Sequence, residues 1–322
     1  MHSRLDPYDE SGLPAYVKGT VITVGTFDGV HRGHRDVVER LVARSRALKI
    51  PSVLVTFEPH PLEIVNPLAA PPLLTTHYEK LEVLAETGVD YVAVLPFTTE
   101  LAAYAAEDFV ELLLRRRFRL RELLIGYDHG FGKQRAGNVE VLRTLGERDG
   151  FRVEVVDAVA TPDGHSVSST SIRRAIAGGD LERASAALGR LYSVSGRVLE
   201  GAQRGRTIGF PTLNLGGAPP RKLLPPEGVY AVRVQTPRGP VGGMMNLGPR
   251  PTFGDPATSL EAHLFDASGD FYGVYVRIDF VRRLRETRKF ASAEQLSKQL
   301  RHDESEARSA LTLLKLPGNL TG

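Results

Sequence analysis

The chain has 322 residues, of which 42% are hydrophobic and 25% are charged, with a formal net charge of +3. Its length exceeds that of an average domain, so two domains with apolar cores are predicted. The absence of cysteine excludes disulfides, thiol catalysis and thiolate zinc sites, and no apolar run is long enough to span a membrane. We therefore expect a cytoplasmic protein with no membrane partner.

Short apolar runs alternate with segments of helical periodicity in the first half of the chain. The predicted strands are 20–24, 52–57, 90–95, 122–125 and 151–156. The predicted helices between them include 35–48, 78–86, 107–116 and 139–148. This alternation predicts an α/β Rossmann-like domain, with helices on both faces of a parallel sheet and right-handed crossovers.

The first predicted strand leads into residues 25–34, GTFDGVHRGH. His31 and His34 are three residues apart at a predicted helix start, so they share one face, and Gly33 lets a ligand approach the backbone. The positive end of a helix favours phosphate, which is the chemistry this pattern indicates. Two alternatives remain open from the residues alone: a surface histidine pair near a cap, or a metal site, although no HExxH is present. The glycines match neither the dinucleotide fingerprint nor a P-loop.

Two further loops follow predicted strands of the same sheet. Residues 57–61 read FEPHP and residues 126–132 read GYDHGFG. Because ligands bind at the carboxyl ends of parallel strands, these loops and residues 25–34 are expected to form one cleft.

Residues 168–174, SSTSIRR, place four hydroxyls at the start of a predicted helix that runs to Ala177. They can act as helix caps or, with the arginines, as a phosphate site, and both interpretations stay open. The basic run 115–121 is interpreted as a solvated helix end, so no nucleic-acid site is predicted.

After a helix at 181–188, the second half changes to short alternating strands broken by Pro and Gly. The predicted strands are 193–199, 228–235, 241–246, 259–265 and 274–280. They indicate a small antiparallel β-barrel. A C-terminal helix begins at Ser292, with Gln295 in a capping box, and is expected to break near Asp303. The predicted domains are 1–188 and 189–322.

Two features of the second half suggest chemistry. Thr212 and Asn214 lie two apart in a short predicted strand after a glycine-rich loop, so their oxygens share one side and suit Mg²⁺ beside phosphates. A glycine-rich hairpin is the alternative. Glu261 shares a strand face with His263, where it is either a general base or an ordinary exposed glutamate.

The motifs GTFDGVHRGH, TFEPHP, GxDxxFG, SSTSIR, RGRTIGFPTLN, GVYAV and NLGPRPTFGD occur in this order along the whole chain. They are followed by the strand containing Glu261 and by Leu284-Arg285-Glu286. In this order they resemble the bacterial bifunctional riboflavin kinase/FMN adenylyltransferase family, also called FAD synthetase.

For the first domain, the resemblance implies transfer of the AMP part of ATP to FMN with release of pyrophosphate. The implied catalytic residues are His31, His34 and Arg173. The implied ATP-binding residues are Gly25, Phe27, Asp28, Gly33, Asp128, Ser169 and Thr170. The implied flavin-binding residues are Phe57, His60, Pro61 and Phe131.

For the second domain, the resemblance implies transfer of the γ-phosphoryl group of ATP to riboflavin. Glu261 is then the catalytic base, Thr212 and Asn214 hold Mg²⁺–ATP, and Arg285 belongs to a segment near the flavin. A nucleotide-binding loop would contain Gly205, Arg206, Gly209, Phe210 and Pro211.

The expected partners are therefore the substrates riboflavin, FMN and ATP, with Mg²⁺ as cofactor and no nucleic acid; self-association stays open. The alternatives are a nucleotidyltransferase with another acceptor, or a flavin-binding regulator with impaired catalysis. Two positions depart from the family pattern: His129 stands where phenylalanine is usual, and Leu213 replaces an alanine. We expect the first to alter an aromatic contact and the second to add bulk near the metal ligands.

Overall fold

The computed structural model divides the chain into two compact units, Met1–Ser169 and Thr170–Gly322, each of which is described by itself. The described residues are 13–127, 137–157, 159, 164, 166–200, 209–216, 221–249, 258–267 and 269–314.

A parallel sheet of five strands forms the centre of the first unit, as the sequence predicts. Its strands are β1 (Thr20–Val24), β2 (Ser52–Glu58), β3 (Tyr91–Pro96), β4 (Leu120–Gly126) and β5 (Arg152–Val156). Their spatial order is β3-β2-β1-β4-β5, and every neighbouring pair is parallel. The fold class expected for this half is confirmed.

The helices of the first unit follow the predicted alternation. They are α1 (Arg32–Leu48), α2 (Pro61–Val65), a 3₁₀ turn (Pro67–Ala69), α3 (His77–Ala85), α4 (Thr99–Ala102), α5 (Ala106–Asp108), a π-helix (Phe109–Arg117) and α6 (Val139–Asp149). The single helix predicted at 107–116 is thus observed as the last residues of α5 followed by a π-helix. Elements as short as α2 and α4 show too little periodicity to be predicted.

Both faces are buried along the inner strands of the sheet: every residue of β1 is buried, and so are six of the seven residues of β2. On β1, Ile22 and Val24 belong to one apolar cluster, whereas Val21 belongs to the other. On β2, Val53 and Val55 join the first cluster and Leu54 joins the second. The alternation of side chains along each strand therefore supplies a core to the helices on both sides.

The order of the strands fixes where a ligand can bind in this unit. From β1 the chain moves outward through β2 and β3, and it then returns to pair β4 with the other edge of β1. Such a reversal opens a crevice at the carboxyl ends of the two strands it separates. Residues 25–34 leave β1 at this crevice.

The second unit contains a closed β-barrel. Its strands are β6 (Ser193–Leu199), β7 (Leu213–Leu215), β8 (Gly228–Thr236), β9 (Gly239–Pro249), β10 (Thr258–Leu264) and β11 (Tyr275–Arg285). Their order around the barrel is β10-β7-β6-β11-β8-β9, and β9 pairs with β10 to close it. All pairs are antiparallel, so the predicted barrel is confirmed.

Three helices complete the described part of this unit: α7 (Ser169–Ala177), which begins at the unit boundary, α8 (Leu181–Leu188) and α9 (Ala293–Thr312). Ser292 caps α9 by accepting a hydrogen bond from the backbone N–H of Gln295. The break expected near Asp303 is wrong, because α9 is continuous through it. Asp303 is fully buried and accepts hydrogen bonds from Arg285 and Gln299, so its carboxylate does not compete for the helix backbone.

The arginines at the end of the π-helix are engaged within the protein. Arg115 and Arg116 both pair with Glu111, and Arg115 also donates to the carbonyl oxygen of Asp149 at 3.1 Å. Across the described ranges, no helix combines the length and the apolar character that a membrane crossing needs.

Candidate active sites

His31 is the N-cap of α1, which begins at Arg32 rather than at the predicted Arg35. Its Nδ1 accepts a hydrogen bond from the backbone N–H of His34 at 3.3 Å. With Nδ1 acting as acceptor, the neutral ring carries its proton on Nε2, which remains a donor. The imidazole therefore satisfies one N–H at the start of α1 through its Nδ1.

The rings of His31 and His34 stack with their centroids 3.6 Å apart and an interplanar angle of 16°. His31 is only 6% exposed. A Cβ atom added at Gly33 would lie 3.3 Å from the His31 ring, so glycine at this position leaves room for the stack. His31 and His34 therefore lie side by side at the start of α1, as their spacing predicts.

The loop that carries the histidines is held from inside by Asp28. This 4% exposed carboxylate accepts hydrogen bonds from the backbone N–H groups of Leu74 and Thr75, each at 3.0 Å. Thr75 Oγ1 in turn accepts from the N–H of Gly29 at 3.0 Å. The Asp28 side chain thus fixes the shape of the loop. This structural role is different from the contact with ATP that was predicted for Asp28.

Backbone geometry in the same loop is unusual. Phe27 and Val30 have φ values of 48° and 39°, in the left-handed region that side chains rarely adopt, and both side chains are buried. The Phe27 ring packs 5.1 Å from the His34 ring. Gly25 donates its N–H to Val55 O at 3.0 Å, and a Cβ there would lie 3.1 Å from the Phe27 ring. Strain of this kind is typical of functional loops.

The loop after β2 carries three of the predicted flavin-binding residues. Phe57 is 7% exposed and packs edge-on against Phe97, so its ring belongs largely to the core. His60 is the N-cap of α2, and Pro61 is its first residue. His60 Nδ1 accepts from the N–H of Leu62 at 3.2 Å and so caps the start of α2.

A small open pocket lies at the carboxyl ends of β1 and β2 and forms the described part of the expected cleft. Its walls include Thr26, Asp28, Phe57, Glu58, His60 and the buried lysine Lys80. Sequence reasoning missed Lys80, since a lysine on a helix ordinarily lies in solvent. The pocket brings together two of the three loops expected to meet there, 25–34 and 57–61. Of the third loop, 126–132, the structure describes only Gly126 and Tyr127.

The remaining predicted residues of this site are only partly described. Ser169 Oγ donates to the carbonyl oxygen of Asp28 at 3.0 Å, so this hydroxyl ties the start of α7 to the histidine loop. Thr170 and Arg173 follow it on α7. Asp128, His129 and Phe131 lie outside the described residues.

In the barrel, Glu261 lies in a row of polar residues that crosses three strands. It is paired in register with Asn214 of β7 on one side and with Asn246 of β9 on the other. Residues directly opposite one another in antiparallel strands share a face, so the three side chains point the same way. Ser259 Oγ donates to Glu261 Oε1 at 2.8 Å. Asn246 is exposed, and sequence reasoning missed it because the pairing is not visible in one strand.

The neighbouring row points into the barrel. Leu213 is 7% exposed and is paired with the fully buried Ala262, which is paired with Met245. The expectation that Leu213 adds bulk near the metal ligands is therefore wrong, because alternation along β7 sends its side chain inward while Asn214 points outward. Thr212 immediately precedes β7.

The segment before β7 is anchored at its described end. Phe210 is buried in the apolar cluster beneath α9, and His263 Nδ1 donates to the carbonyl oxygen of Pro211 at 2.7 Å. Gly209 has a φ of 82°. Gly205 and Arg206 lie outside the described residues.

Arg285 ends β11 and is held by the buried Asp303 of α9. Its Nε and Nη2 donate to the two carboxylate oxygens at 2.7 to 3.0 Å, and its guanidinium lies 5.7 Å from the Phe290 ring centroid. Through Val229 the register connects Arg285 to Asn246. Arg285, which was predicted to lie near the flavin, is therefore in the same cross-strand row as Asn246 and Glu261.

Two family models match the chain. The FAD synthetase model matches residues 13–171, and the riboflavin kinase model matches residues 188–311. Among curated proteins, the bifunctional riboflavin kinase/FMN adenylyltransferase of Escherichia coli (strain K12) is 39% identical over 299 residues, covering 92% of this chain and 95% of the relative. The chain belongs to this family.

Other members of the bifunctional riboflavin kinase/FMN adenylyltransferase family are similarly related. The Pseudomonas fluorescens member is 39% identical, with 91% of this chain and 93% of the relative covered. A solved structure described as a macrolide-efflux protein from Streptococcus pneumoniae is 31% identical, with a TM-score of 0.80, and the match covers 90% of this chain and 94% of that one. Family membership rests on the family models and the curated relatives, which confirm the resemblance seen in the motifs.

Proposed function

We propose that this chain performs two successive ATP-dependent reactions on flavins. The barrel unit phosphorylates riboflavin to FMN, and the α/β unit joins FMN to the AMP part of ATP to give FAD. The observation that carries the proposal is that each unit places its predicted reactive residues together: His31 stacks on His34, and Glu261 is paired in register with Asn214.

In adenylyl transfer, an oxygen of the FMN phosphate attacks the α-phosphorus of ATP. The bond between that phosphorus and the oxygen bridging to the β-phosphorus breaks, and pyrophosphate leaves. His31, through its Nε2 proton, and His34 stabilise negative charge on the phosphates at the positive end of α1. Gly25, Phe27 and Gly33 shape the loop around ATP. The resemblance assigns Ser169, Thr170, Arg173 and Asp128 to the same reaction, with Arg173 as a catalytic residue and the other three as ATP-binding residues.

In riboflavin phosphorylation, the 5′-hydroxyl of the ribityl chain attacks the γ-phosphorus of ATP, and ADP leaves. Glu261 takes the hydroxyl proton. Thr212 and Asn214 present two neutral oxygens, a donor set that suits Mg²⁺ already held by ATP phosphates and water. When bound, the ion neutralises charge on the transferred phosphoryl group.

The flavin contacts are assigned to the remaining predicted residues. Phe57, His60, Pro61 and Phe131 line the flavin end of the adenylyltransferase cleft, and Arg285 lies near riboflavin in the barrel. Gly205, Arg206, Gly209, Phe210 and Pro211 form the nucleotide loop of the kinase site.

Incubation of the purified chain with riboflavin, ATP and Mg²⁺, followed by separation of the flavins, tests the proposal. We expect FMN to appear first and FAD after it, and omission of Mg²⁺ to stop phosphorylation. A chain that forms neither product contradicts the proposal. Pyrophosphate release with another acceptor in place of FMN would favour the alternative nucleotidyltransferase, and flavin binding without turnover would favour the regulator.

Three broader proposals accompany this function. The proposed boundary between the activities is at residues 188/189, next to residue 188, where the riboflavin kinase match begins. We propose a cytoplasmic location, because the cytoplasm supplies the ATP that both reactions consume. Fractionation of cells tests this location.

Self-association is tested by light scattering on the purified chain.

A further inference from the structure

Lys80 of α3 is a buried cation that neither reaction above uses. It is 6% exposed. Its Nζ donates to Phe57 O at 3.2 Å, to Thr56 Oγ1 at 3.3 Å and to Thr26 O at 3.4 Å. The three acceptors lie at the carboxyl ends of β1 and β2, so one ammonium group contacts both loops of the adenylyltransferase cleft.

The position is costly for a lysine. Burial lowers the pKa of Lys80, against the opposing influence of the nearby Glu58 and Asp28 carboxylates. All three hydrogen bonds are longer than the usual 2.9 to 3.0 Å, so they compensate only partly for lost hydration. An apolar residue would pack here at lower cost, which indicates that the charge has a purpose other than stability.

The contacts show what the ammonium holds together. Thr26 lies in the loop that leads to His31, whereas Phe57 lies near the end of β2, just before the chain reaches His60. Thr56 Oγ1 also donates to Thr26 O at 3.0 Å. The Lys80 ammonium, the Thr56 hydroxyl and the Thr26 carbonyl are therefore all hydrogen-bonded to one another, and they connect the histidine loop to the end of β2. The bridge sits in the wall of the cleft itself.

We propose that Lys80 is a positioning residue for adenylyl transfer, whose ammonium sets the spacing between the histidine loop and the FEPHP loop and adds positive charge to the wall of the cleft. This inference rests on the proposed assignment of adenylyl transfer to this cleft. It requires no contact between Lys80 and the reacting atoms.

The test compares Lys80→Met with Lys18→Met in the complete chain. Lys18 is an exposed lysine of the same unit. We expect Lys80→Met to lower kcat for FAD formation by about 30-fold, because misplacement of reacting groups by even 1 Å costs up to about 100-fold. KM for FMN should change less, by about threefold, because the ligand contacts remain. Lys18→Met and the riboflavin kinase reaction of both variants should stay unchanged.

Folding is checked on the same samples by thermal unfolding followed with circular dichroism. A folded Lys80→Met protein whose kcat for FAD formation stays within twofold of the wild type overturns the inference. If the wild-type chain itself makes no FAD, the proposed function fails instead, so the two failures are distinguishable.

Two further variants cover the case in which Lys80→Met does not fold. Thr56→Val removes the bridging hydroxyl and keeps the cation, and we expect a fall in kcat of about fivefold. Lys80→Arg keeps the charge at any pH. Because its pKa is lowered, Lys80 should lose its proton at alkaline pH, so FAD formation should decline there in the wild type and at higher pH in Lys80→Arg.

The other titratable groups facing Lys80 are Asp28, Glu58 and His60, together with His77, which pairs with Glu58 at 3.7 Å. The wild type and Lys80→Arg share these groups, so a difference between their alkaline profiles reports on residue 80. An alkaline profile that is identical in the wild type and Lys80→Arg, with kcat of Thr56→Val unchanged, contradicts the proposal.

Discussion

Glu261 and Asn214 stand opposite each other on β10 and β7, although their residue numbers differ by 47. The pairing places a carboxylate beside the amide proposed to hold the metal. Because cross-strand partners lie within about 5.5 Å of each other at Cβ, a base and a bound phosphoryl group can share this face. The barrel, rather than any local motif, creates this proximity.

Glu261→Gln tests the kinase assignment. The amide keeps the shape of the side chain but accepts no proton, so FMN formation should fall by about 10²- to 10⁴-fold. FAD formation from supplied FMN should persist. Ser259→Ala removes only the hydrogen bond to Oε1 and serves as the milder control, with a loss of a few-fold. Equal losses in both reactions would contradict the division of labour between the units.

His31→Asn tests the adenylyltransferase assignment without removing the helix cap. Asparagine is a good N-cap and keeps an acceptor for the helix N–H, whereas the imidazole donor is lost. We expect FAD formation to fall by about 10²-fold or more while FMN accumulates. His31→Ala should show the same loss of FAD together with about 1 kcal/mol less stability, because the cap is lost too. Normal FAD formation by His31→Asn would assign the histidine to capping alone.

Gly33→Ala tests the geometry of the histidine stack. The added methyl group would lie 3.3 Å from the His31 ring and push it from His34. We expect FAD formation to fall by about tenfold, since the displaced ring remains present but is misaligned. The kinase rate of the same polypeptide is the internal reference. An unchanged FAD rate would show that the stack is not needed for turnover.

Asp303→Asn tests the anchor of Arg285. Removing the charge from a buried pair leaves the guanidinium partly uncompensated, at a cost of about 3 kcal/mol. Hydrogen exchange measured by mass spectrometry should show weakened protection of α9 and of the end of β11. Glu306→Gln alters a surface pair with His302 on the same helix and should cost less than about 1 kcal/mol. Matching protection in the two variants would contradict the anchoring role.

Periodicity predicted the strands and helices whose burial repeats along the chain. β1, β6 and α8 begin and end at the predicted residues, because turn residues or helix caps mark both ends. A break of α9 was predicted near Asp303, but the helix is continuous there. In the structure Asp303 is buried and paired with Arg285 at the end of β11, a partner that helical periodicity does not reveal.

The sequence by itself determined the fold class, the family and the identity of His31, His34, Thr212, Asn214 and Glu261 as candidates, since residue order and local periodicity carry that information. Tertiary structure alone decided that Asp28 fixes a loop, that Leu213 points into the barrel, and that Lys80 is buried between two loops. These outcomes depend on contacts between segments far apart in the chain. Their free energies come from burial and from hydrogen bonds that exist only after the segments meet.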